Sequence, residues 1–326
     1  MSDRFRALRG RPIVTAALAL VVVAGLAAAG TATATPTKSC GTVTLNEQAW
    51  AGSTANTYVA KAALQKIGCK VNITKITEIP VYQAMANGKT DAVLEDWQHV
   101  DQYKQYITKQ HTVVMGGPNG VIGHIGWFVP TYLMKKYPQF KTWRGLKGKE
   151  SIFKSPESGS QGMFLGGDPS YVQKDAQLIQ ALGLNFKFVS VGAEPAQVAR
   201  WSQLYKQHKA VIFYWYTPQY LNSAYQLSEI KLPPRGKNCV DSYSPKLGKN
   251  WSIYRCGYGQ TIIEKLISSK FAKSGSPALN VIKKWHWTAA DQNTVANQIA
   301  GKHVDPEKAA EAWVKANPAK VKAWLR

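Results

Sequence analysis

Short runs in which hydrophobic and polar residues alternate mark the chain from residue 42 onward. Thr42–Asn46 and Lys70–Ile76 place apolar side chains at every second position, as β-strands do. Between them, Thr54–Ile67 repeats apolar residues every four positions, which predicts a helix. A short helix over Pro80–Ala86 and a strand over Thr90–Leu94 follow. This order of strand, helix, strand, helix and strand predicts an α/β unit with a largely parallel sheet covered by helices.

The same alternation begins again after residue 130. A glycine-rich extended segment over residues 116–129 leads into it, and a loop rich in Gly, Ser and Pro over Ser155–Ser170 interrupts it. The other predicted elements are the strands Phe186–Val191 and Ala210–Tyr214 and the helices Pro130–Lys136, Tyr171–Leu182, Ala196–Gln207, Gln260–Phe271, Pro277–Trp285, Ala289–Ile299 and Pro306–Ala316. The sequence therefore predicts a second α/β unit followed by a helical C-terminal region.

Aromatic residues follow the predicted strands, at the edge where open parallel sheets bind ligands. Trp50 follows the first strand and Trp97 follows the third. Trp215 and Tyr216 end a strand of the second unit, and Trp127 lies on the segment between the units. Burial in a core is the alternative for each ring. Several aromatic faces around one point, however, attract a quaternary ammonium ion by up to about 2 kcal/mol per desolvated ring.

Two acids, Glu95 and Asp96, precede Trp97 at the end of its strand. Adjacent strand residues point to opposite faces of a sheet, so the pair cannot converge on one substrate atom as catalytic acids would. We expect one acid to face the cleft and the other to accept hydrogen bonds from loop amides, with both assignments open. His99, two residues beyond Trp97, is a further candidate for the site. The common nucleophile, metalloprotease and nucleotide-binding motifs are absent from the sequence, which favours a binding protein over an enzyme.

The N-terminal 34 residues have the pattern of a signal peptide. Four arginines precede an apolar stretch over residues 13–29, and Ala32-Thr33-Ala34 fits a cleavage site. A retained membrane anchor is the alternative, but the apolar stretch is short for a span. We therefore expect export to the periplasm or to the outer face of the cytoplasmic membrane, with lipid anchoring and free secretion both open.

The net charge of the chain is +22, and removing the four arginines and Asp3 of the signal peptide leaves +19. The lysines are scattered along the chain, which favours attraction to an anionic cell surface over a nucleic-acid groove. The charge therefore supports one alternative function, that of a basic protein that binds the surface or cell wall without a small-molecule ligand. We expect no nucleic-acid partner.

Four cysteines remain after the predicted cleavage: Cys40, Cys69, Cys239 and Cys256. An even number of cysteines in an exported chain indicates disulfides, for which three pairings are possible. Proximity in sequence favours Cys40–Cys69 and Cys239–Cys256. The chain has no C-x2-C pair of the kind that binds zinc, and we expect neither a metal nor a cofactor.

Five segments in this order resemble a known family: TDAVLEDWQH, SPESGSQGMF, GDPSYVQKD, YWYTPQYL and DPEKAAEAWVKANP. Together they are similar to the glycine betaine/proline-type solute-binding proteins of bacterial osmoprotectant ABC importers, over essentially the whole exported chain. The resemblance implies a two-lobed periplasmic-binding fold of type II, with the ligand cleft between the lobes. Lobe one would comprise residues 35–125 and 226–326, and lobe two residues 126–225.

The resemblance also implies a ligand and a partner. The ligand would be a small quaternary amine or betaine held in an aromatic cage, the partner a membrane ABC permease, and the protein a monomer. Trp97 falls on a cage tryptophan of the family. Tyr216 falls where such proteins often carry a tryptophan. Gln161 and Gly162 fall near the second-lobe cage residue and the amides that bind the ligand carboxylate.

The chain departs from the family pattern at two places. Position 161 carries no tryptophan, and Asp101 stands where the family has a histidine, although His99 lies close by. Either the cage is completed by Trp50, Trp127 or Tyr171, or the ligand is a different betaine, choline or another small amine.

Overall fold

A mixed sheet of nine strands runs through the computed structural model, which describes residues Cys40–Arg326. The strands are β1 (Thr42–Asn46), β2 (Lys70–Thr74), β3 (Ala92–Asp96), β4 (Val113–Pro130), β5 (Gly162–Gly166), β6 (Phe186–Ser190), β7 (Ile212–Thr217), β8 (Leu227–Ile230) and β9 (Gln260–Ser268). The predicted signal peptide lies outside the described residues. Within them, no helix has the length and apolar character that a membrane span requires.

Twelve α-helices surround this sheet in the described part of the chain. They are α1 (Ala51–Gln65), α2 (Glu78–Ala86), α3 (Val100–Gln102), α4 (Thr131–Lys136), α5 (Asp175–Leu182), α6 (Glu194–Lys206), α7 (Trp251–Tyr254), α8 (Ser269–Ala272), α9 (Pro277–Lys284), α10 (Ala289–Ala296), α11 (Pro306–Ala316) and α12 (Pro318–Leu325). Two π-helical turns, Tyr103–Lys109 and Asn297–Gly301, extend α3 and α10.

The strand order is β2-β1-β3-β9-β4-β7-β5-β6, with β8 paired to β4. Strands β1, β2 and β3 form a first parallel group, and β5, β6 and β7 form a second. The long strands β4 and β9 pair antiparallel with each other and join the groups. The α/β prediction is confirmed. The sheet is parallel within each group but antiparallel at its centre, so it is mixed rather than largely parallel.

The predicted helix over Gln260–Phe271 is wrong, since this segment forms strand β9 and the short helix α8. Ile263, Leu266 and Ile267 are three and four residues apart, a spacing that also fits one face of a helix. In the structure all three are buried, because β9 lies inside the sheet between β3 and β4 and each of its faces packs in a core cluster, Ile263 and Ile267 in one and Leu266 in another. A strand buried on both faces lacks the alternation that would identify it.

The predicted loop over Ser155–Ser170 hides strand β5, whose five residues are all buried. Glycines flank its short apolar run, so the sequence resembles a turn-rich segment. Strand β7 also extends to Thr217, beyond the predicted end at Tyr214, and α5 begins at Asp175 rather than Tyr171. These shifts change which residues of the second group lie at strand ends.

Both favoured disulfides are present, joining Cys40 to Cys69 and Cys239 to Cys256. The first joins the residues that lead into β1 and β2, next to each other in the sheet. The second closes the turn-rich segment before β9. The predicted lobe boundaries stay predictions, and the first of them falls inside the continuous strand β4.

We expect replacement of Cys40 and Cys69 by alanine to lower the free energy of unfolding by about 3 kcal/mol, because the bond closes a loop of 29 residues in the unfolded chain. Urea denaturation of the double variant and the oxidised wild type measures the change. The matched double variant at Cys239 and Cys256 should lose slightly less, since its loop spans 17 residues. An unchanged urea midpoint at both sites would contradict the prediction.

Candidate functional site

An aromatic cavity lies between the two parallel groups of strands. Its lining residues are Trp50, Glu78, Trp97, Tyr171, Val172, Tyr214 and Tyr216. The space between their atoms, including the part that opens to solvent, is about 250 Å³. A cavity of this size suits a solute of a few heavy atoms better than a larger ligand.

The lining residues lie where strands of the parallel groups end. Trp50 lies between β1 and α1, and Trp97 directly follows β3. Tyr171 follows β5 in the second group, and Tyr214 and Tyr216 lie on the last part of β7. This placement agrees with the rule that ligands bind beyond the carboxyl ends of parallel strands.

Alternation along β7 decides which of its aromatic rings face the cavity. Tyr214 and Tyr216 are two residues apart and therefore point to the same face of the sheet. Trp215 points to the other face, where its ring lies 5.2 Å from that of Trp201 and its indole N–H donates to Asn222 Oδ1 at 2.7 Å. Trp215, a candidate from the sequence, is therefore a core residue.

Two edge-to-face ring contacts join the two parallel groups across the cavity. The ring centroids of Trp97 and Tyr216 are 5.4 Å apart at an interplanar angle of 81°. Those of Trp50 and Tyr171 are also 5.4 Å apart, at 86°. This geometry is favourable for aromatic pairs. The four rings form what we call the aromatic cage.

Glu95 lies behind the two tryptophans of the cage. Its Oε1 accepts the indole N–H of Trp50 at 2.7 Å and that of Trp97 at 3.1 Å, and its Oε2 accepts an amide N–H of Asn56 at 2.7 Å. Burial raises the pKa of Glu95 to about 7, although the two indole hydrogen bonds act to lower it. Glu95 therefore orients both tryptophans from outside the cavity.

Asp96 points to the opposite face, as the alternation of a strand requires. It accepts hydrogen bonds from the hydroxyls of Tyr82 at 2.6 Å and Tyr103 at 2.7 Å, and from the backbone N–H of Gln98 at 2.9 Å. The expectation that one of the two adjacent acids faces the cleft needs correction. Glu95 reaches the cage only through the tryptophans, and Asp96 faces away from it.

The acid that does line the cavity is Glu78, the first residue of α2. It is 3% exposed, and its Oε2 lies 3.1 Å from Nε2 of His99. Its Oε1 is buried and makes no hydrogen bond, although the Val172 amide lies close enough to lower the pKa. Burial nevertheless raises the pKa of Glu78 overall, with the charge and hydrogen bond of His99 opposing it.

His99, predicted from the sequence, contacts Glu78 rather than the cage. It lines a neighbouring cavity whose lining also includes Tyr171. Burial lowers the pKa of the imidazole, but the charge and hydrogen bond of Glu78 raise it more, so that the net pKa shift is upward. His99 therefore pairs with one oxygen of Glu78, and the other oxygen, Oε1, is buried without a hydrogen-bond partner.

A third buried acid, Glu194, joins the two parallel groups. It accepts hydrogen bonds from the Ala51 backbone N–H at 3.0 Å, from the Tyr216 hydroxyl and from the Gln219 side chain at 3.3 Å. Burial raises its pKa, and these hydrogen bonds act to lower it. Tyr171 makes a parallel link, because its hydroxyl donates to the Ala49 carbonyl at 3.0 Å.

Besides Glu95 and His99, three residues predicted for the site do not line the cavity. Trp127 is fully buried on β4 and donates to Asp175 Oδ1 at 2.7 Å. Gln161 donates to Asn185 Oδ1 at 3.1 Å, and Gly162 opens strand β5. Since the carboxyl end of β5 faces the cavity, Gln161 and Gly162 lie at the wrong end of the strand to bind a ligand there. The prediction misplaced them because it read β5 as a loop.

The structure thus brings Trp50, Trp97, Tyr171 and Tyr216 together, with Glu95 and His99 in contact with lining residues. Glu78, Val172 and Tyr214 were missed. Glu78 follows β2 just as Trp50 follows β1, so the same strand-end rule could have found it. Within residues 40–326, no group of three or more His, Cys, Asp or Glu side chains is arranged to hold a metal ion.

Comparison with known proteins gives one family match. The family model described as the substrate-binding domain of the ABC-type glycine betaine transport system matches residues 41–316.

Several solved structures share the fold. One is lactococcal OpuAC in its closed-liganded conformation with glycine betaine (22% identity, TM-score 0.64, covering 87% of this chain and 99% of that one). Another is the glycine betaine/L-proline-binding protein ProX from Borrelia burgdorferi (20% identity, TM-score 0.70, covering 87% of this chain and 97% of that one). A third is an ABC-transporter choline-binding protein in complex with choline (18% identity, TM-score 0.69, covering 89% of this chain and 93% of that one). These likenesses confirm the two-lobed type II periplasmic-binding fold.

In the absence of ligand, we expect the stability of the protein to fall as pH rises from about 4.5 to 7. The pKa of Glu95 is about 7 in the folded protein against an ordinary 4.5, so the folded state binds a proton that the unfolded chain has lost in this window. The contribution of Glu95 is about 3 kcal/mol. Urea denaturation across this pH range measures it.

Glu95→Gln should flatten this pH dependence, because glutamine does not titrate. Glu78 and Glu194, whose pKa values are also raised, should preserve part of the slope. The matched variant at an exposed acid, Glu311→Gln, should keep the wild-type profile. Equal slopes in Glu95→Gln and the wild type would rule out the titration of Glu95 in this range.

Proposed function

The chain belongs to the family of substrate-binding domains of ABC-type glycine betaine transport systems, and we propose that its aromatic cage captures the quaternary ammonium group of a small solute. The observation that carries the proposal is the arrangement of Trp50, Trp97, Tyr171 and Tyr216 around one small cavity. The protein then delivers the solute to a membrane ABC permease. The family is one of transport proteins, not an enzyme class.

The chemistry of the cage supports this ligand group. A quaternary ammonium ion has no N–H to donate, so it is recognised mainly by the faces of aromatic rings. The indole N–H groups of Trp50 and Trp97 point to Glu95, and the Tyr216 hydroxyl points to Glu194. The rings therefore present carbon to the cavity and keep their polar atoms behind it.

Binding of the solute at the outer face of the membrane is consistent with the family and with the predicted signal peptide. Two of the structures that share the fold hold glycine betaine and choline, which have the same trimethylammonium group. The alternative of a basic wall-binding protein explains the charge but not the cavity. It is therefore not favoured.

We expect Trp97→Ala to weaken binding of quaternary ammonium solutes by about 30-fold or more. The change removes one aromatic wall, whose cation–π attraction is about 2 kcal/mol when desolvated. Isothermal titration calorimetry with tetramethylammonium, choline and glycine betaine measures the affinities. The control is Trp251→Ala, which removes an exposed tryptophan outside the cage and should leave all three unchanged.

Two results would count against the proposal. If the folded wild-type protein binds none of the three solutes at millimolar concentration, the ligand class is wrong. If Trp97→Ala binds them as tightly as the wild type, Trp97 does not form a wall of the site.

A further inference from the structure

One wall of the cavity is an acid rather than an aromatic ring, and the capture of a quaternary ammonium group alone does not account for it. We propose that the cavity selects a quaternary ammonium cation that carries a hydroxyl and no carboxylate, of which choline is the simplest, and that Glu78 is its counter-charge and hydrogen-bond acceptor. This inference rests on the proposed function and narrows its substrate class from quaternary amines in general to hydroxylated cations.

One oxygen of Glu78 lacks a hydrogen-bond partner. This residue lines the cavity, is 3% exposed, and has a buried Oε1 without a hydrogen-bond partner. Buried polar atoms are normally paired, because burial without a partner is costly. His99 occupies Oε2. A hydroxyl on the ligand would donate to Oε1 and pair it.

The side chains that line the cavity leave no hydrogen-bond donor free for a ligand carboxylate. Each of their N–H and O–H groups already donates to the protein: Trp50 and Trp97 to Glu95, Tyr171 to the Ala49 carbonyl, Tyr214 to the Val172 carbonyl and Tyr216 to Glu194. A buried carboxylate needs such donors. The side chains of the lining would therefore not replace the hydration of the glycine betaine carboxylate, and the Val172 backbone N–H in the lining already lies close to Glu78.

The charge around the cavity also favours a cation without a carboxylate. Glu78, Glu95 and Glu194 are buried beside it, whereas its lining contains no lysine or arginine. The basic group nearest to Glu78, His99, lies behind that acid and not in the lining. Burial raises the pKa of each of the three carboxyls, and a bound cation would lower those pKa values again. A ligand carboxylate would have the opposite, unfavourable effect.

The test compares choline, glycine betaine and tetramethylammonium on the purified wild-type protein by calorimetry at one pH and salt concentration. Choline and glycine betaine share the trimethylammonium group and differ in the hydroxyl or carboxylate. We expect choline to bind about tenfold or more tightly than glycine betaine. Tetramethylammonium, which lacks the hydroxyl, should bind more weakly than choline.

The variant Glu78→Gln removes the charge and keeps the size of the side chain. Choline affinity should fall about tenfold, while glycine betaine affinity should stay the same or rise. Glu157→Gln, at an exposed acid, is the matched control and should change neither. Thermal unfolding checks that each variant is folded, and the wild-type comparison decides the question if Glu78→Gln is not.

The outcomes distinguish a failure of the inference about Glu78 from a failure of the proposed function. If glycine betaine binds the wild type as tightly as choline, or if Glu78→Gln weakens both ligands equally, the inference about Glu78 is wrong and the proposed function stands. If the folded wild type binds none of the three compounds, the proposed function fails, and the inference fails with it.

Discussion

The cage depends on one buried carboxylate, that of Glu95. Burying a charge is costly unless hydrogen bonds replace its lost water. Here the donors are the indoles of Trp50 and Trp97 and the amide of Asn56. The two tryptophans follow different strands, β1 and β3, so a shared acceptor fixes each ring relative to the other. Without it, two indole N–H groups would be buried unpaired, and the rings would lose their common orientation.

The same arrangement recurs at the tyrosines of the second parallel group. Tyr216 donates to Glu194 and Tyr171 to the Ala49 carbonyl, both away from the cavity. The cage thus keeps its polar groups at the rear and carbon faces in front. Glu78 is the exception, since its carboxylate lines the cavity and its Oε1 has no hydrogen-bond partner. This is why we assign it the role of distinguishing one quaternary amine from another.

The sequence predicts the residues of this site only where the strand before them can be recognised from its pattern. The strand-end rule located Trp50 and Trp97, because β1 and β3 alternate or end clearly. In the second group it also located Tyr216, at the end of β7, but it could not place Tyr171, since the buried strand β5 has no alternation and lies among glycines. Glu78 resembles an ordinary acid at a helix N-terminus, which is usually solvated. Only the folded structure shows that it is buried, beside His99 and in the lining of the cavity.

The site is built so that affinity depends on the two parallel groups lying together. Trp97 and Trp50 come from the first group, and Tyr216 and Tyr171 from the second. A cation in the cage contacts rings of both groups only when they are close. A ligand shifts an equilibrium by its difference in affinity between two states. Direct links between the groups at the cage include the hydrogen bonds from Ala51 to Glu194 and from Tyr171 to Ala49. Under the proposed function, a ligand that contacts rings of both groups would add to these links, by an amount that depends on its chemistry and on the charge at Glu78.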